Sequence, residues 1–239
     1  MASMQKLAGL MRRAIEKYDM IQPGDRIAIG ISGGKDSMAL LMGLHQLRTY
    51  IGIPYEIVGL TLDPCFSGVQ TDYSPIAALC EQLGVEYICK RTEIGQIVFD
   101  RRAESNPCSL CARMRRACLC DEALAAGCNK IALGHHFDDA IETFIMNLFE
   151  EGRVASFQPV TYLSRKQVTM IRPMVMAEES LISAAVYHEG LPVVKSRCPV
   201  DGSTNRERTK EWIRQMDKEH RGFKKRLYGA MERGHVSGF

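Results

Sequence analysis

The chain has 239 residues, of which 46% are hydrophobic, and this length and composition suit one substantial α/β core. No apolar run is long enough to cross a membrane and the N-terminus lacks the apolar stretch of an export signal, so we expect no membrane partner and a cytoplasmic location. The net charge of +3 is modest and alone identifies no partner. The nine cysteines are odd in number, so we expect thiols or metal ligands rather than disulfides.

Predicted strands and helices alternate along the first two thirds of the chain. Leu7, Met11 and Ile15 have helical spacing and predict an N-terminal helix within residues 4–19. The following segments then alternate: strands at 27–31, 55–62, 85–92 and 130–134, and helices at 38–47, 73–83 and 138–149. This alternation indicates an α/β fold with a parallel sheet flanked by helices.

The last third of the chain has a less regular pattern. Residues 152–172 indicate a loop with short strands at 160–163 and 167–171, followed by helices at 178–188, 204–218 and 223–233. We divide the chain into an N-terminal helix (1–24), an α/β domain with an inserted cysteine-containing helix (25–177) and a C-terminal helical part (178–239). Residues 203–239 hold ten Lys and Arg against five Asp and Glu, which fits either a polyanionic partner or a solvated helix face.

The central feature of the sequence is a strand, a glycine turn and a helix within residues 25–37, D-R-I-A-I-G-I-S-G-G-K-D-S. Gly33 and Gly34 allow the backbone to approach a ligand closely, and the unpaired N–H groups of the helix N-terminus attract an anion. Lys35 adds a mobile positive charge. The segment does not match the Walker A pattern G-x-x-x-x-G-K-[ST]. The residues themselves therefore predict an anion site, with a plain glycine turn as the alternative.

A second motif is C-x-x-C, formed by Cys108 and Cys111 at the start of a helix-like stretch, with Cys198 far downstream. Alone, this spacing fits a zinc half-site, a redox pair or two buried thiols. The chain has no second C-x-x-C and no H-x-x-x-H pair that would complete a four-ligand zinc site. Three cysteines would leave one coordination position open unless another thiol supplied a fourth ligand, the candidates being Cys118, Cys120 and Cys128.

Further polar residues follow the predicted strands. Asp63 ends the second strand, and His135 and Asp139 follow the fourth, so the carboxyl ends of a parallel sheet would bring them together. The aspartates have structural alternatives, because Asp63 precedes a proline in a turn sequence and the aspartates at 138 and 139 can cap a helix. Three arginines follow the C-x-x-C and could bind a phosphate or lie in solvent: Arg113, Arg115 and Arg116.

Four motifs occur in a fixed order: S-G-G-K-D-S at 32–37, P-C-S-L-C-A-R-M-R-R at 107–116, A-L-G-H-H-F-D-D-A-I-E-T at 132–143 and R-C-P-V-D-G at 197–202. The first resembles the pyrophosphate-binding loop of PP-loop ATP pyrophosphatases. Together, the four resemble the tRNA 2-thiocytidine biosynthesis family of PP-loop enzymes, over roughly residues 20–215.

That resemblance implies an enzyme that uses ATP and Mg²⁺ to thiolate carbon 2 of a cytidine in the tRNA anticodon loop. It implies a 4Fe-4S cluster held by Cys108, Cys111 and Cys198, with one iron free to bind sulfide. It also implies a cysteine desulfurase or another sulfide donor, and it is compatible with a homodimer. The implied catalytic residues are Lys35, Asp36 and Asp139, and the implied nucleotide-binding residues are Ser32, Gly33, Gly34, Lys35, Asp36, Ser37, Asp63 and His135.

Three other functions fit parts of the pattern. A PP-loop ligase similar to lysidine synthetase would use an amine nucleophile and would not need the three cysteines. Sulfur transfer to another base or to a small molecule would use the same adenylation chemistry. A zinc-stabilised or redox-sensing nucleotide-binding module would bind ATP without cleaving it to AMP.

Overall fold

The computed structural model describes residues 2–101, 107–200 and 205–239. Its α-helices are α1 (Ala2–Lys17), α2 (Lys35–Leu47), α3 (Ser74–Gln82), α4 (Pro107–Ala125), α5 (Phe137–Glu150), α6 (Glu179–Glu189), α7 (Asn205–Glu219) and α8 (Phe223–Arg233). Its strands are β1 (Arg26–Gly30), β2 (Glu56–Asp63), β3 (Glu86–Arg91), β4 (Lys130–Ala132), β5 (Val160–Leu163) and β6 (Val168–Ile171). Short turns of other helix types span Phe66–Gly68, Gln96–Arg101 and Val236–Gly238.

The six strands form one sheet in the order β3-β2-β1-β4-β6-β5. Every neighbouring pair is parallel except β5 with β6, which is antiparallel. The predicted α/β fold is therefore confirmed, but the sheet is not wholly parallel. The segment expected to be a loop with short strands supplies two sheet members, and β6 lies directly beside β4.

Strand β1 marks the point where the strand order reverses. It pairs with β2 on one side and with β4 on the other, so that Ile29 lies between Gly59 and Ala132. The chain leaves β1 through α2 toward one half of the sheet, and β4 begins the other half. Such a switch point opens a crevice at the carboxyl ends of the strands, which is where α/β proteins bind ligands.

Alternate residues of β1 pack into different cores on the two faces of the sheet. Ile27 and Ile29 join the larger core, which also contains buried residues of α1, α2, α6 and α8. Ala28 joins a smaller core with residues of α4, among them Cys120 and Ala123. The N-terminal helix and the C-terminal helices thus share one apolar core with the sheet. Among the described residues, no helix combines the length and apolar character needed to span a membrane.

Candidate active site

The glycine loop between β1 and α2 is held open by its own hydrogen bonds. Gly33 has φ +89°, a left-handed conformation that favours glycine. The hydroxyl of Ser37 donates to the Gly34 carbonyl at 2.8 Å, and the Gly34 N–H donates to the Ser32 hydroxyl at 3.3 Å. Gly34 is the N-cap of α2, and no side chain of the described residues caps the helix, so the amides of the first turn are available to an anion.

Helix α2 begins at Lys35, three residues earlier than predicted, because Lys35, Asp36 and Ser37 form its first turn. The Lys35 ammonium lies 3.0 Å from Asp36 Oδ1 and 3.1 Å from Glu179 Oε1. Burial alone lowers the pKa of Lys35, but Asp36 and Glu179 outweigh it and the pKa is raised. Lys35 is therefore fully charged at neutral pH and forms an ion pair with Glu179 of α6.

A cavity of about 380 Å³ lies at the carboxyl ends of β1, β2 and β4. Its polar lining comprises Ser32, Asp36, Ser37, Arg115, Arg116, His135 and Asp139. Its apolar lining includes Leu60, Leu62, Leu119, Leu133 and Met170. Gly134 lets the end of β4 approach the loop, because a Cβ there would lie 3.2 Å from the carbonyl carbon of Asp36. A cavity lined by both polar and apolar side chains suits a nucleotide.

Asp139 serves both the cavity and the start of α5. Its Oδ2 accepts a hydrogen bond from the His136 N–H at 3.0 Å, and His136 Nδ1 accepts one from the Asp139 N–H at 3.4 Å. Its Oδ1 lies 3.3 Å from Arg206 Nη1 of α7. Asp138 is instead turned toward α6, where its Oδ2 accepts from the Glu179 N–H at 2.7 Å. The predicted capping role and the predicted cavity position thus coexist in Asp139.

Several of the residues singled out from the sequence do not line the cavity, among them Lys35, Asp63 and Arg113. Asp63 is 1% exposed, and its carboxylate accepts hydrogen bonds from the N–H groups of Cys65 at 3.1 Å and Thr71 at 2.9 Å. This carboxylate organises the loop after β2. Arg113 is exposed, whereas the two neighbouring arginines face the cavity.

Two of the three predicted cysteine ligands lie in one apolar cluster, and the third begins the helix that enters it. Cys111 is buried with Phe66 and Val98, Cys198 packs against the same group, and Cys108 is exposed at the start of α4. Burial raises the pKa of Cys111, Arg115 opposes this, and Cys198 and Cys108 raise the pKa further. The thiols are thus close enough to influence one another's ionisation.

The segment that carries Cys198 rests on the glycine loop. The Val194 N–H donates to the Gly33 carbonyl at 2.9 Å, and a Cβ on Gly33 would lie 3.0 Å from the Val194 Cβ. The segment that leads to Cys198 therefore contacts the glycine loop four residues before that cysteine. Ala112, the residue directly after Cys111, lines the cavity.

Three cysteine thiols are the donor set that an iron–sulfur cluster uses. Within residues 2–101, 107–200 and 205–239, no three His, Cys, Asp or Glu side chains converge closely enough to hold one metal ion. A cubane cluster binds each thiolate through a different iron, so its protein ligands stand further apart than those of one zinc ion. Three thiols around a cluster of apolar side chains are consistent with that wider arrangement.

Comparison with known proteins identifies the family. A sequence profile described as the PP-loop domain matches residues 5–215. A protein of Syntrophotalea carbinolica named tRNA-cytidine(32) 2-sulfurtransferase is 38% identical over 230 residues, which cover 95% of this chain and 88% of that protein. A protein of Geobacter sulfurreducens with the same name is 36% identical, with coverage of 95% and 89%. The chain belongs to the tRNA 2-thiocytidine biosynthesis family of PP-loop proteins.

Membership of the tRNA 2-thiocytidine biosynthesis family confirms the resemblance predicted from the four motifs. A solved structure, the U34-tRNA thiolase NcsA from Methanococcus maripaludis with its 4Fe-4S cluster, superposes with a TM-score of 0.76. It is 24% identical and the match covers 96% of this chain and 79% of that one, which shows a shared fold. The roles of individual residues in this family member stay predictions, which the geometry above makes testable.

The structure adds three charged residues that the sequence motifs did not indicate. Glu179 joins Lys35 to Lys210, whose Nζ lies 2.8 Å away, and the two lysines outweigh burial to lower the pKa of Glu179 to about 2. Arg206 Nη1 lies 3.3 Å from both Asp139 and Glu142. The third is Arg172, which follows β6. All three lie far along the chain from their partners, so no local spacing could have revealed them.

Glu142 of α5 is 4% exposed, and burial and the nearby Asp139 raise its pKa to about 7 despite Arg206. The folded protein therefore binds more protons at this site than the unfolded chain between about pH 4.5 and 7, so stability falls as pH rises through that window. Glu142→Gln lacks the titrating carboxyl and so avoids this loss. When the pH rises from 5 to 8, we expect the free energy of unfolding of the variant, minus that of the native chain, to increase by on the order of 2 kcal/mol.

Urea unfolding at the two pH values, without nucleotide or Mg²⁺, measures this change. Glu150→Gln is the matched control, because Glu150 is an exposed residue at the end of the same helix. An equal change for both variants would show that the charge of Glu142 is not specifically costly to the folded state.

Proposed function

We propose that the protein is an ATP-dependent sulfurtransferase that thiolates carbon 2 of a cytidine in the anticodon loop of tRNA. The observation that carries the proposal is the contact between Val194 and Gly33, which holds the Cys198 segment against the glycine loop. A ligase would need only the loop and its cavity, whereas sulfur transfer needs a sulfur site beside the nucleotide. The relatives named tRNA-cytidine(32) 2-sulfurtransferase support the same substrate.

The first half of the reaction activates the base. The cytosine C2 oxygen attacks the α-phosphorus of ATP, the bond between the α-phosphorus and the bridging oxygen breaks, and pyrophosphate leaves. The first-turn amides of α2 and the hydroxyls of Ser32 and Ser37 lie where they would bind the departing pyrophosphate, and Lys35 would offset its charge. The product is an adenylated base whose leaving group is AMP rather than oxide.

The second half replaces oxygen by sulfur. Sulfide attacks carbon 2, the bond from carbon 2 to the activated oxygen breaks, and AMP carries that oxygen away. Cys108, Cys111 and Cys198 would hold a 4Fe-4S cluster, which when bound would supply an iron able to bind sulfide. Arg115 and Arg116 face the cavity from the same helix and would attract the phosphate of the adenylated base.

Asp36 and Asp139 are the carboxylates that would hold Mg²⁺, since both line the cavity next to the loop.

The family resemblance supports two finer parts of the proposal, a cysteine desulfurase or another sulfide donor as supplier of sulfur, and a homodimer as the assembly. It also supports reading residues 25–177 as the ATP-binding domain. Light scattering of the purified chain tests the assembly independently of activity.

The decisive experiment uses protein that has been purified in the absence of oxygen. This protein is incubated with ATP, Mg²⁺, sulfide and an unmodified tRNA that has cytidine at position 32. We expect 2-thiocytidine by mass spectrometry of digested tRNA, with AMP and pyrophosphate formed in equal amounts. The protein should contain about four irons and a matching amount of acid-labile sulfide per chain. One zinc without sulfide, or AMP formation without any thiolated nucleoside, would refute the proposal.

A further inference from the structure

Arg172 follows β6 and carries a buried positive charge beside the nucleotide cavity. It is 6% exposed, and its Nη1 donates to the Gln158 carbonyl and, at 3.1 Å, to the Thr161 hydroxyl. Its guanidinium also lies over the ring of Phe157, 5.0 Å from the ring centre. In the part of the chain that the structure describes, no carboxylate pairs with it, and the charged neighbour that acts on it is another cation, Arg116. A buried cation without an acidic partner creates a positive potential in the adjacent cavity.

The remaining contact of Arg172 fixes the protonation of His135. Arg172 Nε lies 3.3 Å from His135 Nδ1. A guanidinium can only donate, so Nδ1 must offer its lone pair and the proton of a neutral imidazole must sit on Nε2. Burial, with Arg172 as the second cause, lowers the pKa of His135 to about 4 although Asp139 acts in the opposite direction. His135 is therefore a neutral ring with an Nε2–H donor at neutral pH.

That donor faces the cavity. Among the described residues, the one fully buried side-chain nitrogen or oxygen without a hydrogen-bond partner is the Tyr18 hydroxyl. His135 Nε2 also has no hydrogen-bond partner among the same residues. Because it is not one of the fully buried atoms without a partner, it must be partly accessible. His135 lines the cavity together with Ser32 and Ser37, and its ring packs against that of Phe157, with 5.1 Å between ring centres and 32° between ring planes.

We propose that Arg172 is a positioning residue, which holds His135 as the Nε2–H tautomer so that this N–H donates to a phosphoryl oxygen of the nucleotide. An anionic oxygen is the acceptor that fits, because Arg115 and Arg116 face the same cavity and Arg172 adds its unpaired charge. The inference rests on nucleotide binding in the proposed function, but it does not depend on the identity of the base that is modified.

The first test is the tautomer itself. In protein labelled with ¹⁵N-histidine, long-range ¹H–¹⁵N correlation spectra distinguish the Nε2–H from the Nδ1–H form, and the spectrum of His135→Gln identifies the His135 signals. At pH 7 we expect the Nε2–H form in the native chain and a loss of that preference in Arg172→Gln. An Nδ1–H ring or a charged ring in the native chain, or an unchanged tautomer in Arg172→Gln, would overturn the inference.

The second test measures AMP binding by calorimetry. Losing a hydrogen bond to a charged phosphate should weaken binding about ten- to a hundredfold in His135→Leu. His135→Gln places an amide N–H near the position of Nε2 and should bind AMP more tightly than His135→Leu by most of that factor. Equal affinities of the two variants would contradict the donor role.

The outcomes separate this inference from the proposed function. A chain that lacks tRNA thiolation but shows the Nε2–H tautomer and the AMP effect would retain the inference and lose the function. A chain that thiolates tRNA with His135 in the Nδ1–H form would retain the function and lose the inference.

Discussion

Replacement of Cys108 by alanine should abolish tRNA thiolation and remove the iron, while AMP still binds. Cys108 is exposed at the first turn of α4, so its thiol makes little contribution to packing, and surface substitutions of this kind usually change stability by less than about 0.5 kcal/mol. Any large loss of iron or activity must then come from the chemistry of the thiol. Iron and sulfide analysis, nucleoside mass spectrometry and calorimetry with AMP measure the three quantities.

A matched control lies on the same helix. Cys120 is 1% exposed but packs into the smaller core with Ala28 of β1, which is separate from the apolar cluster around Cys111. Cys120→Ala should therefore cost some stability and keep both iron and thiolation. Full iron content and activity in Cys108→Ala would refute its role as a ligand.

Cys118 decides whether the proposed cluster has an open iron. This thiol packs against the same apolar group as Cys198 and lies on the same helix as Cys111. If Cys118→Ala retains iron and activity, three cysteines suffice. If that variant loses both, Cys118 is a fourth ligand, and a closed cluster would leave no iron for sulfide.

The parts of the fold predicted correctly from the sequence were those specified by local patterns. The apolar run of β1 and the helical spacing of Leu7, Met11 and Ile15 are consequences of burial within a single element, so they are visible in the sequence. Strands β5 and β6 are four residues each and carry polar residues. Their membership of the sheet depends on the pairing of β6 with β4, which is a contact between distant segments.

In the candidate site, too, features set by local sequence could be predicted, whereas contacts between distant segments could not. The glycine loop could be predicted because its backbone needs glycine at Gly33 and free amides at a helix start. The partners of its charges could not, because Lys35 meets Glu179 and Asp139 meets Arg206 only through the packing of α6 and α7. Asp63 shows the converse, since its local turn chemistry, visible in the Asp-Pro sequence, describes its observed contacts.

Gly33→Ala should reduce ATP cleavage to AMP by on the order of a hundredfold, because displacing a binding loop by about 1 Å can cost that much. Two causes act together. The φ of +89° disfavours any residue with a Cβ by about 1–2 kcal/mol. The new Cβ would also lie 3.0 Å from the Val194 Cβ and 3.4 Å from the Val194 carbonyl oxygen, so the loop or the Cys198 segment must move. Pyrophosphate release and thermal unfolding measure the two effects.

Gly34→Ala is the matched control one residue away. Gly34 has φ −74°, which any residue adopts, and among the described residues a Cβ there would meet only the Ser32 hydroxyl oxygen, at 3.5 Å. This variant should therefore lose far less activity than Gly33→Ala, since neither backbone strain nor a clash with the Cys198 segment arises.

If movement of that segment is what disables Gly33→Ala, truncating Val194 to alanine in the same chain leaves the clash with its Cβ and should not rescue activity. Val194→Gly removes that Cβ and should restore part of it, and rescue by both variants would instead place the clash at the outer methyl groups of Val194.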